Sequence, residues 1–218
     1  MATPTPAHTR PEKVTLAGRY ATLVPVEAGH APALYAATAG HDALWDYMGE
    51  GPFSSAVAFE AAWQRKLASA DPFFYTVLDT ASAVPLGYLS LMRIDVPNGC
   101  IEAGNIMYPP LLQRTRAATE AQYLAARYVF ETLGNRRYEW KCNALNGPSR
   151  RAALRYGFQF EGIFRQHMIV KGRNRDTAWF SMLDSEWSAR KAAFEAWLDP
   201  ANFASDGRQI VPLGGERG

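Results

Sequence analysis

Gln113-Arg114-Thr115-Arg116-Ala117-Ala118-Thr119-Glu120-Ala121 follows a strand-like run, Cys100 to Tyr108, and a Pro109-Pro110 break. Gln113 to Ala118 reads as a short polar loop. A long helix is expected from about Ala118 to Leu133, closed by Gly134-Asn135 in the manner of a C-cap. A helix N-terminus exposes free N–H groups and carries about half a positive charge. A cation there is disfavoured by roughly 0.3–1 kcal/mol. Arg114 and Arg116 nevertheless stand at this start.

The pattern recurs downstream. Tyr138 to Cys142 reads as a strand, and Asn146-Gly147-Pro148-Ser149 opens a helix that Gly157 ends. Asn146 or Ser149 can cap that helix, and Pro148 suits its beginning. Arg150 and Arg151 occupy its first turn. Two readings are open for the four arginines. They face an anion, for which phosphate is the usual guest of a helix start. Or they point to water and pair with local acids such as Glu120.

Outward from these loops the chain alternates short strands and helices. Arg19 to Val26 alternates like a strand, and His30 to Ala39 reads as an Ala-rich helix. Trp45 to Phe53 is a Gly/Pro loop. Ser54 or Ser55 can cap a helix to about Ala70, with Phe59, Trp63 and Leu67 on one face. Phe73 to Leu78, Leu86 to Ile94 and Cys100 to Tyr108 form three strands with short turns, hence an antiparallel meander. Phe158 to Val170 and Arg175 to Leu183 form a hairpin across Lys171 to Asn174, and Ser185 caps a last helix to about Leu198. This is an α+β arrangement: one domain over 14–198, a flexible arm over 1–13 and a Gly-rich tail over 199–218.

Composition narrows the function. Of 218 residues 48% are hydrophobic and 20% charged, which suits a globular chain rather than a disordered one. A net charge of +2 gives no footprint for nucleic acid. No apolar run approaches about 18 residues, so no membrane span is expected. Met1 to Lys13 lacks the apolar core of a secretory signal. Cys100 and Cys142 read as buried free thiols and favour a reducing, cytoplasmic setting. His8, His30, His41 and His167 show no metal-ligand spacing.

Gln113 to Ala121 resembles motif A of the GNAT N-acetyltransferases, Gln/Arg-x-x-Gly-x-Gly/Ala. Asn146 to Ser149, with Arg155-Tyr156-Gly157-Phe158 and Glu161-Gly162, resembles motif B of the ribosomal-protein (RimJ/RimL-type) branch. The order of elements matches from about Val14 to Trp187. The resemblance implies a GNAT fold: a splayed, mixed, mostly antiparallel sheet flanked by helices. It also implies acetyl-CoA held between two parallel strands, ending near Tyr108 and Trp140. The pantetheine arm would run along Ile106, Met107 and Tyr108. The pyrophosphate would meet Gln113, Arg114, Thr115, Arg116, Ala117, Ala118 and Thr119, with Asn146, Ser149 and Arg151 also at the cofactor. One departure stands out: Arg116 replaces the first motif A glycine. That site tolerates a Cβ if φ stays negative, and the guanidinium is then expected on a CoA phosphate.

The resemblance implies acetyl transfer to a primary amine, carried by a protein N-terminus or a small molecule, in a monomer or homodimer. Glu102 resembles the branch's general base and Ser149 the acid that assists the leaving thiolate. Strand alternation puts Glu102 on one face with Gly104, Ile106 and Tyr108. A solvated strand glutamate and a helix-capping serine remain the plain alternatives, with His167 as another base. The family's tyrosine acid is absent, its position being Ala153. Tyr47, Met48, Phe53, Trp63 and Trp179 are candidates for an acceptor pocket or for core. A catalytically silent binding module of the same fold is the competing function.

Overall fold

A computed structural model of the chain describes residues 6–214. Eight strands form one sheet: β1 (Leu16–Ala17), β2 (Ala21–Pro25), β3 (Phe73–Asp79), β4 (Pro85–Asp95), β5 (Cys100–Met107), β6 (Arg137–Asn143), β7 (Gln159–Val170) and β8 (Arg173–Leu183). Their order across it is β1-β2-β3-β4-β5-β6-β8-β7. Every neighbouring pair is antiparallel except β5 and β6. Five helices flank the sheet: α1 (Ala31–Thr38), α2 (Ala56–Leu67), α3 (Arg116–Arg127), α4 (Gly147–Arg155) and α5 (Asp184–Leu198). The α+β mixed sheet expected from the sequence is the observed architecture.

Each face of the sheet has its own core. On one face α3 is buried almost throughout; its alanines let it lie close against the strands. Leu124, Val129, Tyr138, Phe180 and Phe194 pack there. On the other face α1 and α2 cover Tyr88 and Met107 with Leu34, Phe59 and Trp63. Ser55 caps α2 by accepting from the Ala58 N–H at 3.2 Å, and Phe59, Ala62, Trp63 and Lys66 form its buried stripe.

Several boundaries differ from expectation. Thr115, not a residue near Ala118, caps α3, its Oγ1 accepting from the Ala118 N–H at 3.1 Å. The helix therefore begins at Arg116 and ends in a π-turn over Tyr128–Thr132. Ser185 does not cap α5; Glu186 reaches back to the Leu183 N–H at 2.9 Å. The β7–β8 turn is only two residues, Lys171 and Gly172, both at positive φ, so β8 starts at Arg173. The arm expected to be flexible is tied down over its described part. The Ala7 N–H donates to Val96 O at 3.0 Å and the Glu12 N–H to Tyr128 Oη at 3.0 Å. The tail is tied down as well: Leu213 is buried, and Trp197 Nε1 donates to Gln209 at 2.7 Å.

What positions the site is the β5–β6 pair. Pairing runs only from Cys100–Arg137 to Ala103–Trp140, after which the two strands part. Asn105, at φ +48°, inserts one extra residue opposite β4 just beyond that point. The sheet opens there into a V.

Candidate active site

A cleft of about 1490 Å³ runs through the opening. One end lies at the starts of α3 and α4. There the first-turn N–H groups of Arg116 and Ala117 have no intrahelical acceptor. Arg114 and Arg151 are exposed and line the cleft. Arg150 Nη1 donates to Ala144 O at 3.2 Å. None of the four arginines forms an ion pair among the described residues. Glu120 is not their partner: its buried carboxylate accepts the N–H groups of Arg19, Tyr20 and Ala21 at 2.9, 2.5 and 2.7 Å. Local pairing is thereby removed as the explanation for the arginines.

Arg116 sits at the first helical position and is not among the residues with positive φ, so it replaces the glycine without backbone strain. Its guanidinium lies between two rings, 4.1 Å from the centre of Phe203 and 5.4 Å from that of Tyr20. The C-terminal segment thus forms part of the cleft wall, through Phe203, Gly207, Arg208 and Gln209. Arg155 adds a fifth cation. Its Nη1 donates to Thr119 Oγ1 at 3.1 Å, and it stacks over Trp197 at 4.9 Å. Burial lowers its pKa. The sequence names Arg155 only as part of motif B and not as a cofactor residue, although its place one helical turn after Arg151 puts both on one face of α4.

In the middle of the cleft, Asn146 caps α4 by accepting the Ser149 N–H at 3.1 Å. Ser149 is therefore not the cap. Its Oγ instead accepts the Trp140 indole N–H at 3.0 Å, which leaves its own hydroxyl hydrogen free to donate elsewhere. Tyr108 Oη accepts from Gln122 at 2.8 Å, and Gln113 Nε2 donates to Tyr108 O at 2.8 Å. Burial raises the pKa of both Tyr108 and Tyr156.

At the other end Glu102 is buried, only 5% exposed. Its Oε2 lies 3.1 Å from Arg93 Nε and 3.1 Å from Lys141 Nζ. Lys141 also pairs with Glu139 at 2.6 Å and lies 3.8 Å from the centre of the Trp179 ring. Burial raises the Glu102 pKa, and the two cations only partly oppose it. His167 Nδ1 is 3.0 Å from Thr177 Oγ1; desolvation, then Arg93, Arg175 and Lys141, lower its pKa.

The bulge corrects the expected alternation. Met107, not Ile106 or Tyr108, shares the face of Glu102. Ile106 and Tyr108 pack against the α3-side core and Met107 against the α1–α2 core. Of the residues expected at the site, Glu102, Ile106, Met107, Tyr108, Gln113, Arg114, Thr115, Arg116, Ala118, Thr119, Asn146, Ser149 and Arg151 line the cleft. Ala117 does not: it is 8% exposed and faces the core from the first turn of α3. Tyr47 and Met48 line the cleft, whereas Phe53 and Trp63 belong to the core. Lys141 and Arg93 were missed. The alternation of charge with buried aromatics in Arg137-Tyr138-Glu139-Trp140-Lys141 was the available signal for Lys141.

A mixed sheet split between two parallel strands, with a helix N-terminus at the split, is the architecture of the GNAT acetyltransferases. Residues 21–159 match the family described as acetyltransferase (GNAT) domain, and the chain belongs to that family. It is similar to a GCN5-related N-acetyltransferase from Brucella melitensis, with 51% identity over 96% of both chains and a TM-score of 0.93. It is also similar to a probable acetyltransferase (GNAT family) from Chromobacterium violaceum, with 40% identity over 86% of this chain and 98% of that one, and a TM-score of 0.79. A protein from Vibrio cholerae, provisionally assigned as a ribosomal-protein-serine acetyltransferase, shares the fold at 19% identity (TM-score 0.68; 80% and 99% covered). No curated protein matches the chain. No described helix is long and apolar enough to cross a membrane, and no described cluster of three His, Cys, Asp or Glu could hold a metal.

Proposed function

We propose that this chain is an acetyl-CoA-dependent N-acetyltransferase of the RimJ/RimL-like branch, acting on a primary amine by direct transfer. The observation that carries the reading is the continuity of the cleft. It leads from the arginines and open N–H groups at the α3 and α4 starts, through the β5–β6 split, to one buried carboxylate, Glu102.

The residues present fit the cofactor. Free helix N–H groups and arginines without acid partners are the chemistry of a phosphate site. The β5 segment beyond Ala103 has no β6 partner, so its backbone is open to pairing along Ile106 to Tyr108. Bound there, acetyl-CoA supplies an acetyl group activated as a thioester. Glu102, with its raised pKa, takes the proton that a primary amine must lose before it can attack. Ser149, its oxygen already engaged by the Trp140 indole, donates toward the departing sulfur. Arg93 and Lys141 hold Glu102 in place. The two free thiols fit a reducing, cytoplasmic setting.

Calorimetric titration with acetyl-CoA tests the reading and separates it from a silent binding module. Binding with a melting temperature that climbs with ligand is expected. No heat and no shift at millimolar ligand would remove the enzyme.

A further inference from the structure

The acceptor end has one cation without a counterpart. On β8, Ala178, Phe180 and Met182 enter the core beneath α3, so Arg175 and Thr177 alternate to the opposite face, the one that carries Glu102 and Lys141. Arg175 lines the cleft. The other cations there are engaged: Arg93 and Lys141 with Glu102, and Lys171 Nζ with Trp45 O at 2.7 Å. Arg175 Nε is buried with no hydrogen-bond partner. Among the described residues no carboxylate lies within ion-pair distance of its guanidinium. Asp42, another carboxylate lining the cleft, is exposed and makes no ion pair.

Arg175 is half-buried, a buried Nε donor left unmet is costly, and a planar carboxylate is the group that the guanidinium fork matches. Resting on the acetyltransferase reading above, we infer that the acceptor is a small amine that carries its own carboxylate, in the manner of a free amino acid. The carboxylate pairs with Arg175 while the amine faces Glu102. A polycation would meet the one unpaired charge at this end, that of Arg175, with nothing to offer it, and a peptide α-amine has its own carboxyl tied up in an amide.

The test is steady-state transfer from acetyl-CoA to the common L-amino acids and to their carboxamides, followed by thiol release. At least one acid should exceed its amide roughly ten- to hundredfold in kcat/KM, the span of one charge-assisted hydrogen bond. Arg175→Gln should erase that ratio through the KM of the acid, leave the KM of acetyl-CoA unchanged and not lower the melting temperature. Arg175→Lys should restore part of the ratio. Equal use of acid and amide overturns the inference, as does a preference that survives Arg175→Gln. So does transfer to spermidine or a peptide α-amine with none to any acid, or a protein that binds acetyl-CoA yet acetylates no acid. The acid-to-amide ratio of the unsubstituted protein decides the matter even if Arg175→Gln fails to fold. Absence of acetyl-CoA binding is a separate result: it overturns the acetyltransferase reading, and this inference falls with it.

Discussion

Glu102→Gln keeps the shape of the side chain and removes its charge and basicity. If Glu102 is the general base, kcat should fall about a hundredfold, which is about 2.7 kcal/mol of barrier at 1.36 kcal/mol per tenfold. The structure also fixes what should not happen. Burial raises the Glu102 pKa above its ordinary 4.5 despite Arg93 and Lys141, so in the folded state desolvation outweighs attraction. The native state therefore holds that proton more tightly than the unfolded chain. Between pH 4.5 and the raised value it binds more protons, and this group's contribution to stability falls as pH rises; above that value the penalty is constant. Gln carries no such penalty. Lys141 is not stranded by the change, because Glu139 stays 2.6 Å away. The melting temperature at pH 7 should hold or rise while the rate collapses. The assay is thiol release across pH 4 to 9, with thermal melts at each pH. The acidic limb of kcat/KM should lie above 4.5 in the parent and vanish in the variant. Parental kcat with an unchanged acidic limb would refute the assignment and point to His167, whose depressed pKa leaves it neutral near pH 7.

Five further substitutions probe the site and the fold. Phe203→Ala removes the ring 4.1 Å from Arg116; the Kd for acetyl-CoA should rise a few-fold, and Arg116→Ala should raise it about ten- to a hundredfold, both read by calorimetry. Ser149→Ala should slow turnover less than Glu102→Gln and cost about 1 kcal/mol in urea unfolding through the unmet Trp140 indole; Asn146→Ala should cost about 1 kcal/mol through the lost cap. Glu120→Ala strands three N–H groups at the β1–β2 turn and should destabilise by about 3 kcal/mol or more, read as a lower urea midpoint with unchanged slope.

The fold was legible wherever periodicity met punctuation. The meander of β3, β4 and β5 followed from apolar runs between short turns, and α2 from Ser55 with Phe59 and Trp63 at helical spacing. The misses share a cause. Leu16–Ala17 is too short to show a period, and Thr115 was hidden among other polar residues that could equally have ended the loop. Residues 6–13 and 199–214 look like appendages by composition. Yet single contacts at long range tie them down: Ala7 to Val96, Leu213 in the core, Phe203 on Arg116. No local pattern encodes such contacts.

The two ends of the cleft differ in the same way. The cofactor end is built from residues close in sequence, 113–119 and 146–155, placed by two helix starts that carry their own signals in Thr115, Asn146 and Pro148. The acceptor end is built from four strands, with Arg93 on β4, Glu102 on β5, Lys141 on β6 and Arg175 on β8. These are neighbours only through the strand order, and which of them face the cleft depends on the positive-φ bulges at Arg93 and Asn105. Without the bulge at Asn105, regular alternation would put Ile106 in place of Met107 on the face of Glu102. The end built from strands can therefore be remade by register while the helix starts stay as they are, which is why a family resemblance read at motifs A and B reaches the helix starts and not the residues around Glu102.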